Sequence, residues 1–175
     1  MLSGTAAYAD KAEKKRQKIQ DTRHEVLVEL FETRPQAKAE MKDAEGYAVF
    51  SNTGIHFLLI GAGGGRGVVH DNASDIDTYM KMATLGVGVG FGIKDFKAVF
   101  IFHDRKSLDS FTNKGWDFSG EVDAAARSQD GGGEIGEAAS FRKKVSVYQF
   151  TKAGLILQAS LHGTKYWKDK KLNGS

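Results

Sequence analysis

The chain contains no cysteine among its 175 residues, which removes disulfides, thiol nucleophiles and thiolate metal sites at once. No stretch approaches the ~20 consecutive apolar residues of a membrane-spanning helix, because the most hydrophobic runs are short and broken by glycine or charge. A soluble form is therefore expected. Nucleotide fingerprints are missing as well: counted from Gly61 the required sixth residue is Arg66, counted from Gly63 it is Val68, and no P-loop lysine pattern follows. The five histidines, His24, His56, His70, His103 and His162, show no i, i+4 pair. Asp71, Asp75 and Asp77 read as one loop that could hold a hard cation, but the EF-hand spacing and its terminal glutamate are absent. Ser160 lies within a strand pattern and has no nucleophile elbow. No metal, cofactor or catalytic residue is expected, and the chain does not read as an enzyme.

What is abundant is glycine, 21 residues in all, much of it at every second position. Gly61, Gly63, Gly65 and Gly67 form one ladder, and Gly86, Gly88, Gly90 and Gly92 form another. Alternate residues of a strand share a face, so each ladder predicts a strand with one bare face, open to close packing, strong curvature or a flat ligand. Arg66 then projects opposite the first ladder's glycines, where it could contact a phosphate or pair with a nearby carboxylate.

One proline is present, Pro35, and from Tyr8 to Thr33 there is neither proline nor glycine, which predicts a helix ended at Pro35. Its first half is polar all round, with Lys11, Lys14, Lys15, Arg16 and Lys18 among acidic residues. Its second half has an apolar side of Ile19, Val26, Leu27, Leu30 and Phe31. The second half is expected to dock and the first to project. A short helix is expected over 36–43, then strands over 47–51, 57–70, 84–93 and 96–103, with Lys94-Asp95 turning between the last two. A helix over 107–112 should place Leu108 and Phe111 inward. Strands are expected again over 116–126, 145–150 and 155–162, with a turn at Lys152-Ala153-Gly154 and a glycine-rich acidic loop over 129–136.

Charge is uneven. Residues 1–35 hold 7 basic and 6 acidic groups, residues 36–140 hold 10 and 15, and residues 141–175 hold 8 and 1. An anionic partner is therefore sought at the last fifth of the chain. Leu2-Ser3-Gly4 has the form of the end of a bacterial lipoprotein signal, with Thr5 where the acylated cysteine would stand, and Ala7-Tyr8-Ala9 has the form of a signal-peptidase site. A periplasmic or envelope-anchored location with the signal removed is the expectation.

In order along the chain, Asp43-Ala44-Glu45-Gly46-Tyr47-Ala48-Val49-Phe50, Gly61 to Val69, Gly88 to Ile93, Asp95-Phe96, Leu108-Asp109-Ser110-Phe111, Tyr148 to Leu155 and Leu161 to Lys165 resemble the SYLF domain over about residues 36–166. That family includes bacterial envelope proteins and eukaryotic cytoskeletal adaptors. The resemblance implies binding of anionic membrane lipids, of which phosphoinositides are the eukaryotic class, with an actin role in fungal members. It implies no catalytic residues, and the bacterial envelope branch looks closer.

The fold expected is α+β: an N-terminal helical arm, residues 1–35, followed over 36–175 by a glycine-rich, mainly antiparallel sheet curled into a barrel or closely packed sandwich. The lipid-binding residues expected are Lys165, Trp167, Lys168, Lys170 and Lys171 after the last strand and Arg142, Lys143 and Lys144 before the preceding one, two basic groups flanking a hairpin. Tyr166 and Trp167 add amphipathic aromatics suited to a membrane interface. Arg66 joins them, and Lys11, Lys14, Lys15, Arg16 and Lys18 form a secondary basic helix. The partner expected is an anionic headgroup or membrane surface, with a protein partner as the alternative and no nucleic acid. A solvated basic end, with Trp167 capping the core, is the competing description of the C-terminal block.

Overall fold

A long helix, α1 (Ser3–Thr33), runs without a break until the carbonyl of Leu30 accepts the backbone N–H of Arg34, and Pro35 then opens α2 (Gln36–Asp43). The computed structural model describes residues 3–52, 62–85, 97–118, 143–151, 154–157 and 163–174. The second glycine ladder, the Lys94-Asp95 turn, the 129–136 loop, Arg142, Lys152-Ala153, Ser160, His56 and His162 lie outside the described residues. Eight strands are described: β1 (Gly46–Ser51), β2 (Ala62–Asp71), β3 (Ile76–Leu85), β4 (Lys97–Phe102), β5 (Trp116–Asp117), β6 (Val145–Thr151), β7 (Gly154–Leu157) and β8 (Thr164–Lys168). They form one antiparallel sheet in the order β5-β8-β3-β2-β1-β4-β6-β7, with α3 (Arg105–Lys114) between β4 and β5 in the chain. The α+β expectation holds.

The sheet is curled into a half-barrel, and its side chains show the curvature. Tyr166 on β8 and Phe100 on β4 are four strands apart, about 19 Å on a flat sheet at the usual strand spacing. Yet their ring centroids stand 5.2 Å apart. The concave face holds Phe50, Phe100, Phe102, Met80, Met82, Val147 and Tyr166, and α3 fills it with Leu108 and Phe111. Gly65 and Gly67 on β2 face this core. A Cβ on Gly65 would stand 2.6 Å from Met82 Cγ, and one on Gly67 would overlap the Val49 carbonyl and the Phe50 ring. The described part of the first ladder is thus a packing surface.

The convex face carries α1 and α2. Val26 and Leu30 of α1 pack with Ala37 and Met41 of α2 on Val49, Val99, Ile101 and Tyr148. The first half of α1 docks as well, which corrects the expectation that it projects. Ala12 of the first half, with Ile19 at the join of the two halves, is buried against Val68 and Leu172, because the last residues of the chain fold back beneath them.

Two further corrections concern strands. Asp77 belongs to β3 and not to a loop: it lies directly opposite His70. Its carboxylate takes hydrogen bonds from Gln20 at 2.8 Å and Arg23 at 3.0 Å and meets His70 Nδ1 at 2.8 Å. The Lys165 to Lys168 run is a strand inside the sheet, with Thr164 and Tyr166 buried and Lys165 and Trp167 exposed. Tyr166, not Trp167, is the core residue.

Candidate functional site

The C-terminal turn after β8 is built to hold a surface in place. Asn173 accepts the backbone N–H of Tyr79 and donates to the Tyr79 carbonyl, extending the pairing of β3 beyond the end of β8. Asp169, its side chain 3% exposed, accepts the N–H groups of Lys171 and Leu172. Leu172 can then meet α1, where Arg16 Nε donates to the Leu172 carbonyl at 2.9 Å.

Between this turn, the first half of α1 and the convex face of β2 and β3 lies a cleft of about 230 Å³ lined by Tyr8, Lys11, Lys15, Arg66, Lys81, Asp169 and Lys171 together with Ala12 and Leu172. Five of those side chains are cationic and one is anionic. Only Lys81 comes within 4 Å of the Asp169 carboxylate, at 3.9 Å. Lys11, Lys15, Arg66 and Lys171 make no ion pair among the described residues. Some cations elsewhere are paired: Arg23 with Asp77, Lys97 with Glu29, Arg105 with Glu45 and Asp71. Lys18, Lys38, Lys42 and Lys106 make no ion pair among the described residues and are not gathered round this cleft. Burial lowers the pKa of the Lys15 ammonium, Arg66, Lys11 and Lys171 lower it further, and Asp169 acts in the opposite direction.

Register places one more group here. Arg66 lies opposite Lys81 on β2 and β3, and Lys81 lies opposite Trp167 on β3 and β8, so the three form a row across one face of the sheet. Trp167 is 36% exposed and Tyr8 is 56% exposed. The cationic cleft thus has amphipathic aromatics beside it.

The residues expected from the sequence divide accordingly. Arg66, Lys171, Lys11 and Lys15 come together, with Trp167 in the adjoining row. Lys14 pairs with Asp10, Arg16 with Glu13, and Lys18 is exposed on α1. Lys165 faces Asp117 at 3.5 Å, Lys168 lies opposite Met80, and Lys170 is exposed in the turn. Lys143 and Lys144 precede β6, which four strands separate from β8. The hairpin expected between the two basic groups is present, β6 pairing antiparallel with β7. The second group, however, continues into β8, which pairs with β3 and β5, so the two groups do not meet beside that hairpin. Lys81 and Asp169 were missed; the signal for Lys81 was its place between the inward Met80 and Met82.

A second polar cluster joins Ser146, His103, Glu40 and Tyr148. Ser146 and Tyr148 donate to the two oxygens of Glu40, and burial first and then this carboxylate push the Tyr148 phenol up to about 12. Both short contacts of His103, to Ser146 and to Glu40, fall on Nε2. An acyl-transfer triad needs the carboxylate on the other ring nitrogen, so the cluster serves to hold α2 to β6.

A family model described as Las17-binding protein actin regulator, Ysc84, matches residues 83–175. The chain is also similar to Beta cell expansion factor A of Aeromonas veronii, 35% identical over 147 residues, which is 83% of this chain and 54% of that protein. The chain thus spans about half the length of that relative. Among the described residues, no helix is long and apolar enough to cross a membrane.

Proposed function

Since the chain belongs to the Ysc84, or SYLF, family, we propose that it acts by peripheral binding to anionic lipid headgroups through the cleft on its convex face, without a catalytic step. The surface bound is a membrane of the bacterial envelope. The observation that carries this is the set of four cations, Lys11, Lys15, Arg66 and Lys171, left without carboxylate partners among the described residues around one cleft. Arg66 offers a planar fork of donors suited to phosphate oxygens, and the lysines supply point charges. Trp167 and Tyr8 suit the depth of the headgroups, where amphipathic rings concentrate.

Each cation near an anionic surface contributes about 1 kcal/mol. Replacing Lys15, Arg66 and Lys171 together by Ser, Gln and Ser should weaken binding to anionic vesicles by about 10²-fold. A double Lys143→Ser, Lys144→Ser variant should bind like the parent. Flotation with neutral and anionic liposomes reads both. Equal binding to neutral vesicles, or an unaffected triple variant, would overturn the assignment.

A further inference from the structure

The cleft is a seam between three segments far apart in sequence. The first half of α1 brings Lys11 and Lys15, β2 and β3 bring Arg66 and Lys81, and the C-terminal turn brings Lys171. Like charges therefore repel across the contacts that hold these segments together. The turn is tied to β3 by Asn173 and by the Asp169 N–H on the Tyr79 carbonyl. The contacts of α1 there are few: Ala12 and Ile19 on Val68, Leu172 and Tyr79, and hydrogen bonds from Arg16 to Leu172 and from Gln20 to Tyr79. Asp169 is the sole carboxylate lining the cleft among the described residues. An anion placed among the cations would convert each repulsion across the seam into an attraction through a shared partner.

Charge and room specify the anion. Five cations against one carboxylate leave four positive charges uncompensated. A phosphodiester supplies one negative charge, whereas a monoester supplies about 1.5 to 2, and a diphosphate supplies more. At about 230 Å³ and open to solvent, the cleft has room for a phosphate group.

Building on the cleft as an anion site, we propose that it is a phosphate-operated clamp: a phosphate monoester or diphosphate seated among Lys11, Lys15, Arg66 and Lys171 ties the first half of α1 to the C-terminal turn. Occupancy fastens both segments to the sheet together, and vacancy leaves them held by the contacts above. The second half of α1, with its own apolar core, is indifferent to the ligand.

Hydrogen exchange of the full chain tests this, with pyrophosphate as the free ligand and sodium chloride at matched ionic strength as the control. Exchange should slow at least tenfold in peptides covering residues 5–18 and 169–174, and stay unchanged in residues 23–31 and in β1 and β4. The Arg66→Gln variant should keep the exchange pattern of β1 and β4 and lose the slowing. No slowing beyond the chloride control, slowing spread evenly over the chain, or full slowing in Arg66→Gln would overturn the clamp.

Vesicles distinguish the sources of phosphate. Slowing of the same peptides on phosphatidate vesicles, and not on phosphatidylglycerol vesicles of equal surface charge, identifies a lipid monoester. Equal slowing on both overturns the monoester class while leaving lipid binding intact. Slowing by pyrophosphate with no vesicle association supports the clamp and removes the membrane from the proposed function.

Discussion

The two halves of α1 lie on the same convex face and are held to it by opposite means. The C-terminal half buries Val26 and Leu30 almost completely, and Arg23 and Glu29 pair with partners on β3 and β4. Around the N-terminal half, Lys11, Lys15, Arg66 and Lys171 stand without such partners among the described residues, and Ala12, with Ile19 at the join of the halves, supplies the buried contact. One helix therefore contains a structural anchor and a surface left open for something anionic. Apolar burial works whatever the solution holds, whereas a cationic seam responds to salt, pH and ligand.

The largest test of this difference is truncation of one buried residue in each of the two apolar clusters under α1. Leu30→Ala opens a cavity in a sealed cluster and should cost about 2–5 kcal/mol. Ile19→Ala loses three carbons from a smaller cluster beside the cleft and should cost about 2 kcal/mol, near 0.8 for each carbon. Urea titration of both variants reads the two values. Equal costs would mean that the two clusters anchor α1 alike.

Asp77 marks the boundary between them, and Asp77→Asn should cost about 1–3 kcal/mol, since it weakens contacts with Gln20, Arg23 and His70 together. Burial pushes its carboxyl pKa up, but hydrogen bonds with His70 and Gln20 and the Arg23 charge outweigh burial and leave it below its ordinary value. The Arg105 hydrogen bond does the same for Asp71 against a smaller cost of burial. A depressed carboxylate adds stability that is present above its unfolded pKa, near 4, and lost as pH falls through the folded value. Urea midpoints should therefore fall below pH 4, and less steeply in Asp77→Asn. A parallel decline in parent and variant would exclude Asp77 from the acid response.

Much of the anchor was legible in the sequence and much of the cleft was not, for the same physical reason. Val26, Leu30, Leu108 and Phe111 follow the 3.6-residue period, and α2 begins and ends at Gln36 and Asp43 as its residue pattern implies. Gly65 and Gly67 follow the strand period and pack as that period requires. β3 and β8 were obscured by charge: Asp75 and Asp77 have loop composition, and Lys165 to Lys171 has the composition of a solvated tail. Each nevertheless alternates, with Met80, Met82 and Tyr166 inward. Arg66 was legible as a side chain opposite the glycines. Its neighbours were not, because Lys11, Lys81 and Lys171 are joined only by the return of the chain's end onto β3 through Asn173, and local periodicity carries no such long-range pairing.

A smaller effect, opposite in sign to both truncations, is expected at the cleft itself. Arg66→Gln removes one of several like charges and no ion pair among the described residues. It should leave stability unchanged or raise it by up to about 0.5 kcal/mol, the range of surface substitutions. A loss above 1 kcal/mol in the same urea titration would show that Arg66 holds the fold, and would move the N-terminal half into the anchor class.

The smallest expected effect is the sharpest, because only a cationic seam produces it. Burial first, then Arg66, Lys11 and Lys171, hold the Lys15 ammonium below its ordinary value of 10.5, with Asp169 opposing them. Between the folded pKa and 10.5 the unfolded chain binds more protons than the folded one, so docking gains stability as pH rises through that window. Below the window the penalty is present in full. A nitroxide on Ala9→Cys, a unique label site because the chain has no other cysteine, should report motion that slows as pH rises from about 7.5 toward 10.5. The same label on Val28→Cys should not change. Pyrophosphate at pH 7.5 should reproduce the slowing at Ala9, since an anion and the loss of a proton relieve the same repulsion. Motion at Ala9 that is indifferent to both would mean that the N-terminal half is held by its apolar contacts alone, and the contrast between the halves would reduce to one of contact area.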